Sequence, residues 1–151
     1  MTDPPPFVTF LRVLADLRRT VVEKGALLLV EGDRDREALR ALGVASASLI
    51  VVNSGRPLPA VVEAIVDRGR PVVVLTDWDR KGGHLAFRLS QMMADGRVPV
   101  DLTFRRRFAR AMLGEITHVQ AMAVWAEREA GRLGTTLDHW LGDLDERNPH
   151  L

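Results

Sequence analysis

Apolar and polar positions change along the chain in blocks that predict strands alternating with helices. Short apolar runs rich in β-branched residues predict strands over residues 26–30, 48–52, 71–76 and 98–102. Apolar positions at helical spacing predict the intervening helices over residues 35–42, 59–68 and 83–94. Strands that alternate with helices in this way are typical of an α/β fold with a mostly parallel, four-stranded sheet.

Helices are also predicted on both sides of this alternating region. Phe7, Phe10, Leu14, Leu17 and Val21 recur at helical spacing and predict an N-terminal helix over about residues 7–23. Beyond residue 103 the alternation stops, and the pattern predicts helices over residues 105–113, 119–132 and 137–144. We therefore expect one domain over residues 1–151, with a core at about 24–103 and a C-terminal helical extension at about 104–145.

Polar residues follow the predicted strands at the points where the strands end. Glu31 follows the first strand, Asn53 follows the second, and Asp77 and Asp79 follow the third. The strands themselves lack polar alternation, as parallel strands covered on both faces do. Because ligands of open parallel sheets lie outside the carboxyl ends of the strands, these residues predict one site.

Asp77 and Asp79 predict that this site binds a divalent metal ion. Residues two apart in an extended segment project to the same side, so both carboxylates can reach one ion. Oxygen donors in a chain without cysteine favour a hard cation, Mg²⁺ first and Mn²⁺ as the alternative. A simpler interpretation stays open, in which Asp79 caps the next helix and Asp77 only ends a strand.

Glu31 and Asp35, which follow the first strand, are further candidates for the predicted metal site. Glu31 lies at the rim of the sheet near other carboxylates, where it can act as a general acid or base and can also bind the metal. Asp35 falls in the first turn of the following helix, where it either joins the metal ligands or stabilises the positive end of the helix dipole. The histidines His84, His118, His139 and His150 show no ligand spacing, and only His84, on the helix after the acidic turn, is a further candidate.

Basic residues near the acidic edge predict how a phosphodiester would be held. Arg34, Arg56, Arg80 and Lys81 flank the acids, and Gly82 opens the backbone so that N–H groups can face a phosphate. We expect these five residues to contact substrate. Solvated loop charge and an ordinary glycine turn are the competing interpretations.

The densest basic stretch lies just after the fourth predicted strand. Arg105, Arg106, Arg107 and Arg110 predict a face that follows a nucleic-acid backbone. The competing interpretation is a basic helix docked on acidic residues of this chain or of a partner.

Composition narrows the class of protein further. A formal net charge of +1 neither requires nor forbids a polyanionic partner. The absence of cysteine excludes disulfides and thiolate-bound zinc, and no apolar run approaches the roughly 20 residues of a membrane-spanning helix. We expect a cytoplasmic protein with RNA or DNA as its partner and no membrane association; a protein partner or a homo-oligomer stays open.

The segments 31–35 (EGDRD) and 77–82 (DWDRKG) resemble the two acidic motifs of the Toprim superfamily, Glu-Gly-x-x-Asp and Asp-x-Asp-x-x-Gly. The resemblance covers about residues 24–103 and implies a Rossmann-like Toprim fold. It also implies that Glu31 is the general acid or base and that Asp77 and Asp79 bind Mg²⁺. Asp35 matches the aspartate of the first motif.

The superfamily includes topoisomerases, bacterial-type primases, nucleases and recombination mediators. This chain has no tyrosine to serve as a topoisomerase nucleophile and no cysteine-rich primase zinc module. It resembles the small stand-alone Toprim proteins, including those similar to the 5S ribosomal RNA maturation ribonuclease. The resemblance implies metal-assisted hydrolysis of nucleic acid; the alternative is a non-catalytic nucleic-acid-binding or adaptor module in a larger assembly.

Overall fold

The computed structural model describes residues 3–146 of the chain. The terminal residues 1–2 and 147–151, which the single-domain prediction included, lie outside the described part, as does His150. The strands are β1 (Leu27–Val30), β2 (Leu49–Val51), β3 (Val72–Val74) and β4 (Val100–Asp101). The helices are α1 (Pro6–Lys24), α2 (Asp33–Ala41), α3 (Leu58–Asp67), α4 (Arg80–Asp95), α5 (Thr103–Ala111), α6 (Met122–Arg132) and α7 (Leu137–Glu146), with short 3₁₀ turns at Ser46–Ser48 and Val119–Ala121.

The four strands form one parallel sheet in the order β2-β1-β3-β4. In the central pair, Leu28 lies opposite Val73 and Leu29 opposite Val74. The predicted α/β class, the parallel four-stranded sheet and the flanking helices at both ends of the chain are therefore confirmed, and the arrangement fits a Rossmann-like fold.

The sheet is covered on both faces, which explains its continuous apolar sequence. Leu28 and Val30 point into a core shared with α1, α2, α5, α6 and α7. Leu27 and Leu29 point to the opposite core, which α3 and α4 complete. All four side chains are fully buried, and burying a leucine or valine contributes about 1.5–3 kcal/mol to stability.

Aromatic side chains join the N-terminal helix to the C-terminal helices. The ring centroid of Phe10 on α1 lies 5.8 Å from that of Phe108 on α5 and 5.2 Å from that of Trp125 on α6. All three residues are at most 2% exposed. None of the helices described is both long enough and apolar enough to cross a membrane. The C-terminal extension is thus packed onto the core.

Several helices begin earlier than predicted, and in α2 and α4 the cap explains the difference. α2 begins at Asp33 rather than residue 35, since Gly32 is extended and its N–H donates to Asp35 Oδ2 at 2.9 Å. α4 begins at Arg80 rather than residue 83, because Asp79 Oδ1 accepts the Gly82 N–H at 2.7 Å. Residues 80–82 consequently lie in the first turn of α4.

The start of α4 also depends on close backbone packing at Gly82. Thr76 Oγ1 donates to the Gly82 carbonyl at 2.7 Å. A Cβ atom added to Gly82 would lie 1.8 Å from the carbonyl oxygen of Asp77, a distance that no relaxed structure permits. Any side chain at this position therefore has to displace the backbone that carries Asp77.

Gly82→Ala is expected to destabilise the protein by about 2–3 kcal/mol, because the clash is with backbone and not with a flexible side chain. Gly83→Ala is the matched control, since its Cβ would meet only Arg105 Nη2 at an ordinary 3.8 Å. That control is expected to be neutral or to stabilise by up to about 1 kcal/mol, as alanine is favoured over glycine in helices. Urea unfolding of both variants checks this, and equal stability of the two would contradict it.

Candidate metal centre

The acidic residues meet at the topological switch point of the sheet, between β1 and β3. β1 and β3 are neighbours, with β2 added beyond β1 and β4 beyond β3. Such a switch point forms a crevice outside the carboxyl ends of the two strands. Glu31 directly follows β1, and its Oε2 accepts the N–H of Asp77, beyond the end of β3, at 3.1 Å. The two acidic strand ends are therefore joined to each other.

Backbone amides donate hydrogen bonds to each of the remaining carboxylates. These bonds are Val119 N–H to Asp77 Oδ1 at 2.8 Å, Gly82 N–H to Asp79 Oδ1 at 2.7 Å, and Gly32 N–H to Asp35 Oδ2 at 2.9 Å. In Asp77 and Asp79 the second oxygen forms no hydrogen bond to a backbone N–H of the described residues. The carboxylates are fixed in direction and still have oxygens with which to bind a cation.

The side chains that can bind a metal form two groups that overlap at Asp77. One ligand atom from each of Glu31, Asp35 and Asp77 lies within 4.8 Å of the other two. One atom from each of Asp77, Asp79 and His118 meets the same limit. The structure thus brings together all four carboxylates that were predicted as metal ligands, and Asp77 is common to both groups.

Burial and mutual repulsion change how these carboxylates titrate. Burial, together with the hydrogen bond and charge of Glu31 and the charge of Asp35, raises the pKa of Asp77 from 3.8 to about 7, although the Val119 N–H opposes the shift. Burial also raises the pKa of Asp35, and the charge of Glu31 adds to this effect. Negative charge at Asp77 is therefore costly near neutral pH unless a proton or a cation offsets it.

Asp79 and Asp35 also have the structural roles that were the competing interpretations. Asp79 caps α4, and Asp35 lies in the first turn of α2 with its side chain bound to the Gly32 N–H. The cap of α4 uses one oxygen of Asp79, which leaves the other for a metal ion. The Asp35 carboxylate has backbone hydrogen bonds with both Gly32 and Gln120, so its structural role is the more extensive one.

Arg105 holds the backbone of the loop between β3 and α4, residues 75–79, here called the acidic loop. Its Nε donates to the Thr76 carbonyl at 3.1 Å and its Nη2 to the Asp77 carbonyl at 2.7 Å. Burial lowers the pKa of Arg105, while the charges of Glu31, Asp79 and Asp77 raise it. Arg105 was predicted as part of a nucleic-acid face, but its guanidinium is bound to this loop.

The other three arginines of the predicted face lie elsewhere, because successive residues of a helix point in directions about 100° apart. They line a cavity of about 440 Å³ between α1 and α5, here called the basic groove. Its lining residues are Thr9, Arg12, Val13, Thr103, Arg106, Arg107 and Arg110. Arg107 pairs with Asp16 and lies over the Phe104 ring. Within residues 3–146, no ion pair is formed by Arg12, Arg106 or Arg110.

The residues predicted to hold substrate near the acids are mostly exposed. Arg34 lies in the first turn of α2, Arg80 and Lys81 lie in that of α4, and Arg56 lies in the loop after β2, beside a cavity of about 610 Å³. Gly82 differs from these, because it is buried and its N–H already donates to Asp79. The N–H that was predicted to face a phosphate is therefore used by the cap of α4, and Arg56 Nη2 donates to the Ala60 carbonyl at 3.4 Å.

His118 is the site residue that the sequence did not predict. It lies in the loop between α5 and α6, and its Nε2 is 3.2 Å from Asp79 Oδ2. No spacing in the sequence links it to the acids, because hydrogen bonds from Trp78 bring its loop to them. His84, the histidine that the sequence favoured, is exposed and belongs to neither group.

Similar proteins were found among curated sequences and solved structures, while no family model matches the chain. A UPF0292 protein of Thermococcus gammatolerans is 38% identical over 75% of this chain and 80% of its own length. A UPF0292 protein of Methanosarcina acetivorans is 28% identical over 77% of this chain and 79% of its own length.

A solved structure, of a protein from Aquifex aeolicus, matches with a TM-score of 0.58 and 21% identity, over 71% of this chain and 93% of that one. This likeness shows the fold alone. The sequence similarity goes further, since the Thermococcus gammatolerans relative and a second one from Thermococcus kodakarensis, 33% identical over 78% of this chain, carry the same family name. The chain belongs to the UPF0292 protein family.

Proposed function

We propose that this chain is a Toprim-type protein that hydrolyses phosphodiester bonds of RNA or DNA with a bound divalent metal ion. The observation that supports the proposal best is the convergence of Glu31, Asp35, Asp77 and Asp79 at the switch point of a parallel sheet. The order and spacing of these residues match the acidic motifs of the Toprim superfamily. Such an enzyme would act in the cytoplasm.

The residues of the crevice fit a divalent cation. Carboxylate oxygens are the donors that Mg²⁺ and Mn²⁺ prefer in proteins. Burial and the neighbouring Glu31 and Asp35 raise the pKa of Asp77, and a bound cation would offset the resulting cost of its negative charge. Backbone N–H groups already orient these carboxylates, so little conformational freedom would be lost on binding.

Each acid has a distinct proposed role. Asp77 and Asp79 would hold the ion through the oxygens that accept no backbone N–H. Glu31, fixed beside Asp77 by its Oε2, would take and return the proton of the attacking water. A divalent ion bound here would stabilise negative charge on the phosphate and lower the pKa of water. Buried Asp35 would keep the turn at Gly32 in place and strengthen the negative field.

The basic groove is the proposed contact for the nucleic-acid backbone. Arg12, Arg106 and Arg110 present guanidinium groups that no acid of the described chain neutralises. An arginine without an acidic partner can use its guanidinium group to contact phosphate. The helix that carries Arg106 and Arg110 also carries Arg105, so the groove and the acidic loop are connected through α5.

A second function has its own support. In the alternative, the protein is a non-catalytic nucleic-acid-binding or adaptor module of a larger assembly. It is favoured by the position of the basic groove, which lies between α1 and α5 and has no acidic-loop residue in its lining. Metal-dependent cleavage distinguishes the two functions.

The purified protein is expected to cleave structured RNA, single-stranded DNA or duplex DNA in Mg²⁺ or Mn²⁺ and to stop in EDTA. Glu31→Gln is expected to lower the turnover number by about 10²–10⁴-fold, because the amide cannot accept the proton. The variant should still fold, since the amide oxygen can accept the Asp77 N–H. Glu63→Gln, at an exposed position of α3, is the control with unchanged turnover.

Two results would count against this account. Cleavage by Glu31→Gln at the wild-type rate would exclude Glu31 as the proton carrier. Failure of the wild-type protein to cleave any of the three substrates in either metal would remove the nuclease, and nucleic-acid binding without cleavage would favour the adaptor.

Replacing Arg106 and Arg110 together with Ala is expected to weaken nucleic-acid binding equally for all sequences. Each lost phosphate contact should also reduce the slope of log affinity against log salt by about 0.7–0.9. Arg68→Ala with Arg97→Ala is the matched control, because it removes the same charge from exposed positions near the opposite edge of the sheet. Equal weakening in both double variants would show that net charge, not the groove, determines affinity.

A further inference from the structure

The loop that carries His118 is tied to the acidic loop at three points. Trp78 N–H donates to the Thr117 carbonyl at 2.9 Å, and Trp78 Nε1 donates to the Ile116 carbonyl at 2.7 Å. On the other side of His118, the Val119 N–H donates to Asp77 Oδ1 at 2.8 Å. The backbone on both sides of His118 is therefore fixed relative to Asp77 and Asp79.

The imidazole of His118 faces the crevice with a partner on each nitrogen. Nε2 is 3.2 Å from Asp79 Oδ2, the oxygen that the cap of α4 leaves unused. Nδ1 is 2.9 Å from Thr117 Oγ1, which can accept its proton. In that tautomer Nε2 carries the lone pair and can bind a metal ion. A metal-binding histidine usually donates its other ring N–H to a hydrogen-bond acceptor, which fixes the tautomer.

A surface ion pair with Asp79 is the simpler explanation for His118, whose side chain is 49% exposed. Such pairs contribute about 0–1 kcal/mol to stability and do not require any other residue of the loop to be in a particular position. A protonated imidazole would also donate from Nδ1 to Thr117 Oγ1, so that contact fits both explanations. An ion pair with Asp79 alone does not require an Asp77 oxygen within the same 4.8 Å group, whereas binding of one ion by Asp77, Asp79 and His118 does.

We propose that His118 is a metal ligand through Nε2, together with Asp77 and Asp79, and that the site selects a first-row transition ion such as Mn²⁺ over Mg²⁺. The inference rests on the metal binding proposed above and specifies its donor set. Imidazole nitrogen binds transition ions well, whereas Mg²⁺ is bound through oxygen. A nitrogen donor beside two carboxylates therefore shifts the preference toward Mn²⁺ and the ions that follow it.

The test uses the full chain, freed of metal with a chelator and then loaded with Mn²⁺. Electron spin echo spectra of the wild-type protein are expected to show ¹⁴N modulation from a directly bound imidazole. His118→Ala should lose this modulation and bind Mn²⁺ about tenfold or more weakly in calorimetric titrations, with a smaller change for Mg²⁺. His84→Ala, which removes an exposed histidine outside both acidic groups, should match the wild type.

The two proposals fail in different ways. If the wild type binds Mn²⁺ without ¹⁴N modulation and Asp77→Asn abolishes that binding, the carboxylate site stands and His118 is not a ligand. If His118→Ala binds Mn²⁺ and Mg²⁺ as the wild type does, the proposed selectivity is overturned. If the wild type binds neither ion, the metal centre itself is wrong.

Discussion

The burial of several carboxylates side by side at the switch point is the constraint to which the rest of the site responds. Parallel pairing of β1 and β3 places Glu31 against the backbone of Asp77, and capping of α2 holds Asp35 nearby. Burial raises the pKa of Asp77 to about 7, and the hydrogen bond and charge of Glu31 and the charge of Asp35 add to this effect. The backbone N–H of Val119 and the charge of Arg105 reduce this cost only in part. A proton or a metal ion is the remaining way to offset it.

The C-terminal extension is part of the site as well as a cover for the sheet. It supplies Arg105, which holds the carbonyls of Thr76 and Asp77, and it supplies His118 and the Val119 N–H at the acidic edge. Packing of Phe108 and Trp125 against Phe10 holds this extension against α1. Because of these contacts, the geometry of the acids depends on aromatic packing in the core.

The fold and the convergence of the four carboxylates could be predicted from the sequence, because both depend on local pattern. Apolar runs show where strands lie, and acids directly after them must reach the carboxyl edge of a parallel sheet. His118, Val119 and Arg105 could not be assigned in this way, since their places depend on hydrogen bonds between distant segments. The sequence allowed Asp79 as a helix cap but did not give the first residues of α2 and α4, because these depend on which backbone N–H each carboxylate binds.

The most direct test of the central claim is the free energy of unfolding of the metal-free protein, measured in urea from about pH 4 to pH 8. The folded state holds a proton on Asp77 up to about pH 7, whereas a carboxyl with the ordinary pKa of 3.8 loses it much earlier. The folded state therefore binds more protons across this interval, and stability should fall as pH rises. The decline should be smaller in Asp77→Asn. Mn²⁺ at pH 7 should raise the free energy of unfolding of the wild-type protein, because it binds the folded state. The same decline in wild type and Asp77→Asn, with no effect of Mn²⁺, would contradict the claim that these acids form a cation site.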